Sequence, residues 1–309
     1  MLYVTYAIGD VHGRADLLEA LLAAIARHAH ASDAEPRVLF LGDIVDRGPC
    51  SREAMDLVCD TLARWPQSRL IRGNHDAYFL DFMTADHVDE ERFGRWLMRI
   101  GGYQTMESYD LLSVGSVRDA ATIFRANHPH HLQALMDASP IVVDNRFAYV
   151  HAGIDPTRSI DDQAPKDLMM IRDRFLDHVG QLSHIIAHGH TPTSDSMPDS
   201  RPCRIAIDTG AYASGRLTCL AISADERKLY FLFATAQGGS IEVTRERQTN
   251  DRFCPAEGEI SGPHSDDDDI PVRSRLGTGL DQYFGEVARA LSAGTRLNLV
   301  RVCQKYGTS

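Results

Sequence analysis

An α/β fold is predicted for this 309-residue chain by two features of its sequence. Short apolar runs alternate with stretches whose apolar residues recur at helical spacing. The runs repeatedly stop at Gly-Asp or Gly-Asn. Strands that end at glycine and lead into helices gather their loops at one edge of a sheet, where open α/β sheets receive their ligands.

The elements follow in order. Leu2 to Ile8 reads as a buried strand, and Asp10 to Gly13 as the loop after it. Leu17, Leu18, Leu21, Leu22 and Ile25 then mark one face of a helix. Val38 to Leu41 is a second strand, again ending in Gly-Asp, and Ser51 stands as the N-cap of a helix reaching about Trp65. Leu70 and Ile71 make a third strand that stops at Gly73-Asn74. From about Ala77 to Ser139 strand signals give way to helical ones, notably over Glu90–Ile100 and His131–Ala138, so this stretch is expected to be a helical insertion. Strands return at Ile141–Val143, Phe147–Val150, Ile185–Ala187, Ile205–Ile207, Leu217–Ile222 and Leu229–Phe233. The close spacing of the last ones points to an antiparallel or mixed second sheet.

One catalytic domain is therefore expected over residues 1–240, with the insertion at about 77–139 inside it. Residues 241–309 are expected to form a polar, acidic linker and tail, including the run Asp266–Asp269. Within it Leu280, Phe284, Val287 and Leu291 are spaced as one amphipathic helix.

Composition narrows the function. Lys plus Arg number 32 against 43 Asp plus Glu, for a formal charge of −11. That argues against a nucleic-acid protein held by a broad basic surface. An acidic protein that binds phosphate must gather positive charge locally, from a few arginines or from metal ions. The six cysteines include no C-x-x-C pair, which speaks against a cysteine-built zinc knuckle. The chain opens without a basic start and long apolar stretch, and no run reaches the length of a membrane span. A cytoplasmic protein without membrane or nucleic-acid partners is the expectation.

Five motifs stand just after apolar runs. They are Gly9-Asp10-Val11-His12-Gly13, Gly42-Asp43-Ile44-Val45-Asp46-Arg47-Gly48, Gly73-Asn74-His75-Asp76, His151-Ala152-Gly153 and His188-Gly189-His190-Thr191. Asp, Asn and His together make a set of oxygen and nitrogen donors suited to Mn, Fe or Zn rather than to a thiolate site. A carboxylate such as Asp43 has two oxygens and can bridge two ions. Two ions so placed can clamp a phosphoryl group and make a nucleophile of water near neutral pH.

In this order the motifs resemble the calcineurin-like metallophosphoesterases, and within them the phosphoprotein phosphatase group with its GDxHG, GDxxDRG and GNH[E/D] signatures. The resemblance covers about residues 4–233. It implies a four-layer α/β sandwich of two mixed sheets flanked by helices, with a dinuclear metal site at the strand ends. It implies that Asp10, His12 and Asp43 hold one ion, and that Asp43, Asn74, His151 and His190 hold the other. His190 is preferred to His188 as the His of Gly-His-Thr. The ions are expected to be manganese, with iron or zinc also suited.

The resemblance further implies that His75 is the acid for the leaving alkoxide, paired with Asp46. Arg47 and Arg72 adjoin the motifs, and guanidinium forks suit bidentate phosphate binding. A third arginine is implied between the two late histidines, where Arg172 matches best and Arg174 next. Asp76, in place of the Glu of many protein phosphatases, is expected to orient a ligand or the helix start. The implied substrate is a phosphoprotein or a phosphorylated small molecule. Phosphoserine or phosphothreonine hydrolysis is the first reading and dinucleoside tetraphosphate (Ap4A) hydrolysis the alternative. A ligand-poor scaffold of the same fold is disfavoured because every expected position is filled.

Overall fold

The computed structural model describes residues 3–85 and 88–248. The elements run β1 (Tyr3–Ile8), α1 (Ala15–Ala31), β2 (Glu35–Phe40), α2 (Ser51–Arg64), β3 (Arg69–Leu70) and α3 (Asn74–Thr84). The insertion contributes α4 (Glu90–Arg95), a π-helical turn (Trp96–Ile100), α5 (Gly102–Ser108), α6 (Val117–Asn127) and α7 (Pro129–Met136). Then come β4 (Ile141–Asp144), β5 (Phe147–Val150), α8 (Pro165–Met170), α9 (Asp173–Leu176), β6 (Ile185–His188), β7 (Asp199–Arg201) and β8 (Arg204–Ala206). The last are α10 (Ala211–Ser214), β9 (Arg216–Ile222), β10 (Leu229–Gln237) and β11 (Ser240–Gln248).

Two mixed sheets form, one in the order β11-β10-β9-β1-β2-β3, the other β4-β5-β6-β8-β7. Strands β1, β2 and β3 are parallel, as are β5, β6 and β8. The two-residue period of a strand explains how the sheets stack. On β5, Phe147 and Tyr149 enter a core shared with Ala7, Leu39, Leu220 and Phe231 of the other sheet. Ala148 and Val150 turn the other way, onto Leu168, Ile171 and Phe175 of the α8–α9 segment. Both faces being covered, all four residues are buried. Each large apolar side chain removed from water in this way contributes about 1.5–3 kcal/mol. Helix α1 packs against β10 and β11 on the first sheet, which completes the expected helix–sheet–sheet–helix layering.

The insertion is helical as expected and has an aromatic core of its own. Phe79, Phe82, Phe93, Trp96, Tyr109 and Phe124 pack ring on ring, with centroids as close as 4.9 Å between Phe79 and Phe124. Among the described residues no helix is long and apolar enough to cross a membrane.

Three expectations are corrected. The closely spaced strands β9 and β10 join the first sheet, antiparallel beside β1, rather than a second one. The sheet continues past residue 240, because β11 pairs with β10 along its whole length, from Ser240↔Gln237 to Gln248↔Leu229. Its alternation is faint because it is an edge strand with mostly exposed residues, only Ile241, Val243 and Gln248 being half-buried. Ser51 is not an N-cap. Cys50 holds that position, and the Ser51 hydroxyl faces inward to Asp46 and Thr105. The predicted helix at Leu280–Leu291 and the acidic run Asp266–Asp269 lie outside the described residues.

Candidate metal centre

The site is assembled at the carboxyl ends of β1, β2, β3, β5 and β6. The first two motif loops are laced together by backbone: the N–H groups of Val11 and His12 donate to Asp43 O at 3.2 and 2.8 Å, and Gly13 N–H donates to Ile44 O at 2.8 Å. His12, Asp43, Asp46, Arg47 and His190 all adopt positive φ, between 45° and 72°. That conformation costs a non-glycine residue about 1–2 kcal/mol, and its concentration on motif residues is the kind of strain that marks functional loops. At Gly189 a Cβ would sit 2.0 Å from Asp10 Oδ1, so glycine is what lets the two loops meet.

Asp43 is the hub. Its Oδ2 lies 3.7 Å from His12 Nε2 and 3.8 Å from His75 Nε2, and its Oδ1 lies 3.4 Å from His151 Nε2. His151 Nε2 is also 3.0 Å from Asn74 Oδ1. Two of the candidate rings are aimed by the far nitrogen: His12 Nδ1–H donates to Val45 O at 2.9 Å and His151 Nδ1–H to Leu41 O at 2.7 Å. Such bonds fix the tautomer that leaves Nε2 toward a cation. His190 Nε2 is buried without a partner, and its ring packs edge-on against His151 with centroids 5.0 Å apart.

Two three-donor groups result, each with its atoms within 4.8 Å of one another: His12, Asp43 and His75, and Asp43, His151 and His190. The second group and the neighbouring Asn74 match the expected second set. In the first, His75 stands with His12 and Asp43, while Asp10 lies outside the group. Asp10 instead accepts the His190 backbone N–H at 3.1 Å on both oxygens, close to Asp208.

The electrostatics call for cations. Asp10, Asp43 and Asp208 are each about 2% exposed. Burial, then the negative charge of Asp208 and Asp43, pushes the Asp10 carboxyl well above its usual range. Burial raises Asp208 as well. Burial also opposes the charged form of Asp43, but His151, His75 and His12 outweigh it and hold that carboxyl well down. Burial lowers His12 and His190 to about 3, so both rings are neutral and offer a lone pair. Packed acids beside neutral imidazoles, with one buried ring nitrogen unsatisfied, fit divalent ions of the Mn, Fe or Zn kind.

His75 also pairs with Asp46, Nδ1 to Oδ2 at 2.7 Å. Burial works against a charged His75, yet Asp43 and Asp46 raise its pKa above the ordinary value. Asp46 is fully buried and held from the insertion: Trp96 Nε1–H donates to Oδ2 and the Thr105 hydroxyl to Oδ1, each at 2.7 Å. Thr105 Oγ1 also accepts the Asp46 N–H at 2.8 Å. Arg47 Nη2 reaches His75 Nε2 at 3.1 Å, and its guanidinium lies 4.8 Å from the centre of the Tyr212 ring.

Arg172 stands near the second group, its Nη1 3.4 Å from Thr191 Oγ1. Arg174 pairs with Asp155 and Asp167 instead. Arg72 departs from expectation. Its Nη2 donates to the carbonyls of Leu135, Met136 and Ala138, at the end of α7. Asp76 braces the Asp43 loop and the start of α3: its carboxylate accepts the N–H groups of Asp43, Ile44 and Gly73, at 2.8, 2.9 and 3.2 Å. His188 keeps Nδ1 on its neighbour's carbonyl and its ring against Phe175.

Sequence reasoning missed Trp96, Thr105, Asp208 and Tyr212. Asp208 had a readable signal, since Ile205-Ala206-Ile207 ends in Asp-Thr-Gly as the other motif strands end in Gly-Asp. The others act from helices with no motif of their own.

The match to the symmetrical bis(5'-nucleosyl)-tetraphosphatase of Psychromonas ingrahamii is 36% identical over 87 residues, 28% of this chain and 29% of that protein. The match to the enzyme of the same name from Serratia proteamaculans is 42% identical over 77 residues, covering 25% and 24%. The chain thus aligns with less than a third of the length of these curated relatives. A solved mutant of a cold-active protein tyrosine phosphatase shares the fold with a TM-score of 0.51 at 17% identity, over 80% of each chain. The model of the calcineurin-like phosphoesterase family, hydrolases with a dinuclear divalent metal site, matches residues 3–213. That span contains every residue of the two donor groups, and the chain belongs to the calcineurin-like phosphoesterases.

Proposed function

We propose that this hydrolase cleaves phosphomonoesters of alcohols, foremost phosphoserine and phosphothreonine in proteins. The observation that carries the reading is the 2.7 Å bond between His75 Nδ1 and Asp46 Oδ2. An alkoxide is a poor leaving group and needs a proton as the P–O bond breaks, so an acid held by a buried carboxylate suits such esters. A nucleoside diphosphate leaves as a stable anion and needs no such acid.

His12, Asp43, Asn74, His151 and His190, with Asp10 and Asp208 beside them, would hold two divalent ions, manganese by preference. Bound there, the ions would supply Lewis acidity toward a phosphoryl oxygen and a lower pKa for water. Arg47 and Arg172 would take the remaining phosphoryl oxygens through their forks. Arg47 can only donate, so while it lies on His75 Nε2 the ring keeps its proton on Nδ1, toward Asp46. Once Arg47 swings to the phosphoryl group, Nε2 is free to carry the proton that the alkoxide takes. Asp46 stabilises the imidazolium that this requires.

A second reading, hydrolysis of dinucleoside tetraphosphates, is favoured by the names of the curated relatives. Turnover of a phosphopeptide, diadenosine tetraphosphate and a bis-aryl phosphodiester, side by side with Mn²⁺, separates the two. The phosphopeptide should show the highest kcat/KM. A ten-fold or greater preference for the dinucleotide would reverse the ranking.

A further inference from the structure

A third donor group lies apart from the site just described. Asp56, in the middle of α2, faces His130 and His131 in the first turn of α7. Asp56 Oδ1 is 2.9 Å from His131 Nε2 and 3.6 Å from His130 Nε2, and all three atoms fall within 4.8 Å of one another. His131 is fully buried, while the Asp56 and His130 side chains are about half exposed, at 50% and 54%. The group is thus anchored on one side and open to solvent on the other.

We propose that Asp56, His130 and His131 form a binding site for a single transition-metal cation, zinc above all, that ties helix α7 to helix α2. Two imidazole nitrogens and one carboxylate oxygen are a borderline donor set that selects zinc, cobalt, nickel or copper over magnesium and calcium. Three protein ligands with a solvent-facing fourth position are a common zinc arrangement. The surroundings supply the orienting contact such a site needs. The Tyr109 hydroxyl meets His131 Nδ1 at 2.9 Å inside the buried wall. With a proton between His131 and Asp56, Nε2–H donates to the carboxylate and Tyr109 donates to Nδ1. With a cation there, Nδ1–H donates to Tyr109 Oη and the Nε2 lone pair is free for the metal.

His128, His130 and His131 crowd together, with ring centroids 4.2 Å apart for His130 and His131 and 5.3 Å apart for His128 and His131. Cys59 sits one turn along α2 from Asp56, and its thiol points to His130 O at 3.8 Å.

The position gives the cation a task. Helix α7 ends in the carbonyls that receive Arg72, and Ser139 just beyond it bridges to Ile71 beside the third motif. Tyr109 packs on Phe79 and Phe124 of the aromatic core that carries Trp96. Clamping α7 to α2 would therefore steady the insertion that holds Asp46.

The test is a metal count. The full chain and its His130→Ala variant are equilibrated with Zn²⁺, desalted and analysed for zinc per chain, with thermal unfolding followed in parallel. His130 is half exposed, so the variant should fold. The wild-type chain should carry one more equivalent than His130→Ala, and zinc should raise its unfolding midpoint by several degrees more. His128→Ala, which lies outside the donor group, should keep the extra equivalent. Equal zinc in the wild type and His130→Ala, or loss of the extra equivalent in His128→Ala alone, would overturn the site. The count does not depend on the substrate, so it stands or falls apart from the function proposed above.

Discussion

Trp96 donates its indole N–H to the same Asp46 oxygen that meets His75 Nδ1, both at 2.7 Å. A residue of the helical insertion is thereby wired to His75, the proposed acid. Hydrogen bonds to an ionised carboxylate are roughly twice as strong as neutral ones, and in a buried setting they also fix direction. The insertion is thus part of the machinery that sets the position of His75.

Replacing Trp96 by Phe keeps the ring packing against Phe79, Phe82 and Phe93 but removes that donor. We expect kcat on an alkyl phosphate to fall by about ten-fold, the low end for loss of an orienting partner. Metal content should be unchanged. Steady-state kinetics with metal analysis checks both. A fall that is equal for an aryl phosphate would show that Trp96 matters to something other than the acid.

Asp46→Asn should act through leaving-group dependence. His75 would lose the charge that favours its protonated form, so the alkaline limb of kcat should move to lower pH. Acid catalysis supplies about 10²–10⁴-fold, and the loss on an alkyl phosphate should fall in that range. On an aryl phosphate or diadenosine tetraphosphate, whose leaving groups need little help, the loss should be small. A uniform loss across substrates, with no shift in the pH profile, would remove Asp46 from the acid's role.

Gly189 tests how tightly the first and fifth motifs meet. A Cβ there would lie 2.0 Å from Asp10 Oδ1, and Asp10 accepts the next residue's N–H on both oxygens. Gly189→Ala must therefore displace the carboxylate or the loop. Metal affinity should drop by about 10–100-fold while the circular dichroism stays native. Titration of Mn²⁺ against activity measures this, and an unchanged midpoint would mean that Asp10 takes no part in holding the ions.

Much of this was legible in the chain because the site lies where the local signals are strongest. Asp10, Asp43, Asn74, His151 and His190 each follow an apolar run, and a strand's period and its terminal glycine are readable within a few residues. Trp96 and Thr105 were not legible, because their bonds to Asp46 span 50 and 59 residues. In the sequence they are ordinary members of amphipathic stretches. Arg72 was misplaced for a related reason. Its adjacency to Gly73 suggests phosphate, but the carbonyls it meets lie 63 to 66 residues on. Strand β11 was missed because an edge strand whose residues are mostly exposed, with only Ile241, Val243 and Gln248 half-buried, shows little alternation to read.

Metal removal should leave a pH signature in stability. Without ions, burial opposes a charged His151, but the nearby Asp43 and Asp10 raise its pKa from 6.5 to about 10. A group whose folded pKa is raised stabilises the fold fully below its unfolded pKa, and that contribution is lost as pH climbs through the folded value. The chelated protein should therefore lose stability between about pH 6.5 and 10. A ligand imidazole is neutral when it holds an ion, so the loaded protein has no such window at His151. The gain in unfolding midpoint on adding Mn²⁺ to chelated protein should be larger at pH 9 than at pH 7, and His151→Gln should flatten that difference. A gain independent of pH in the wild type would show that His151 does not trade a proton for a metal ion.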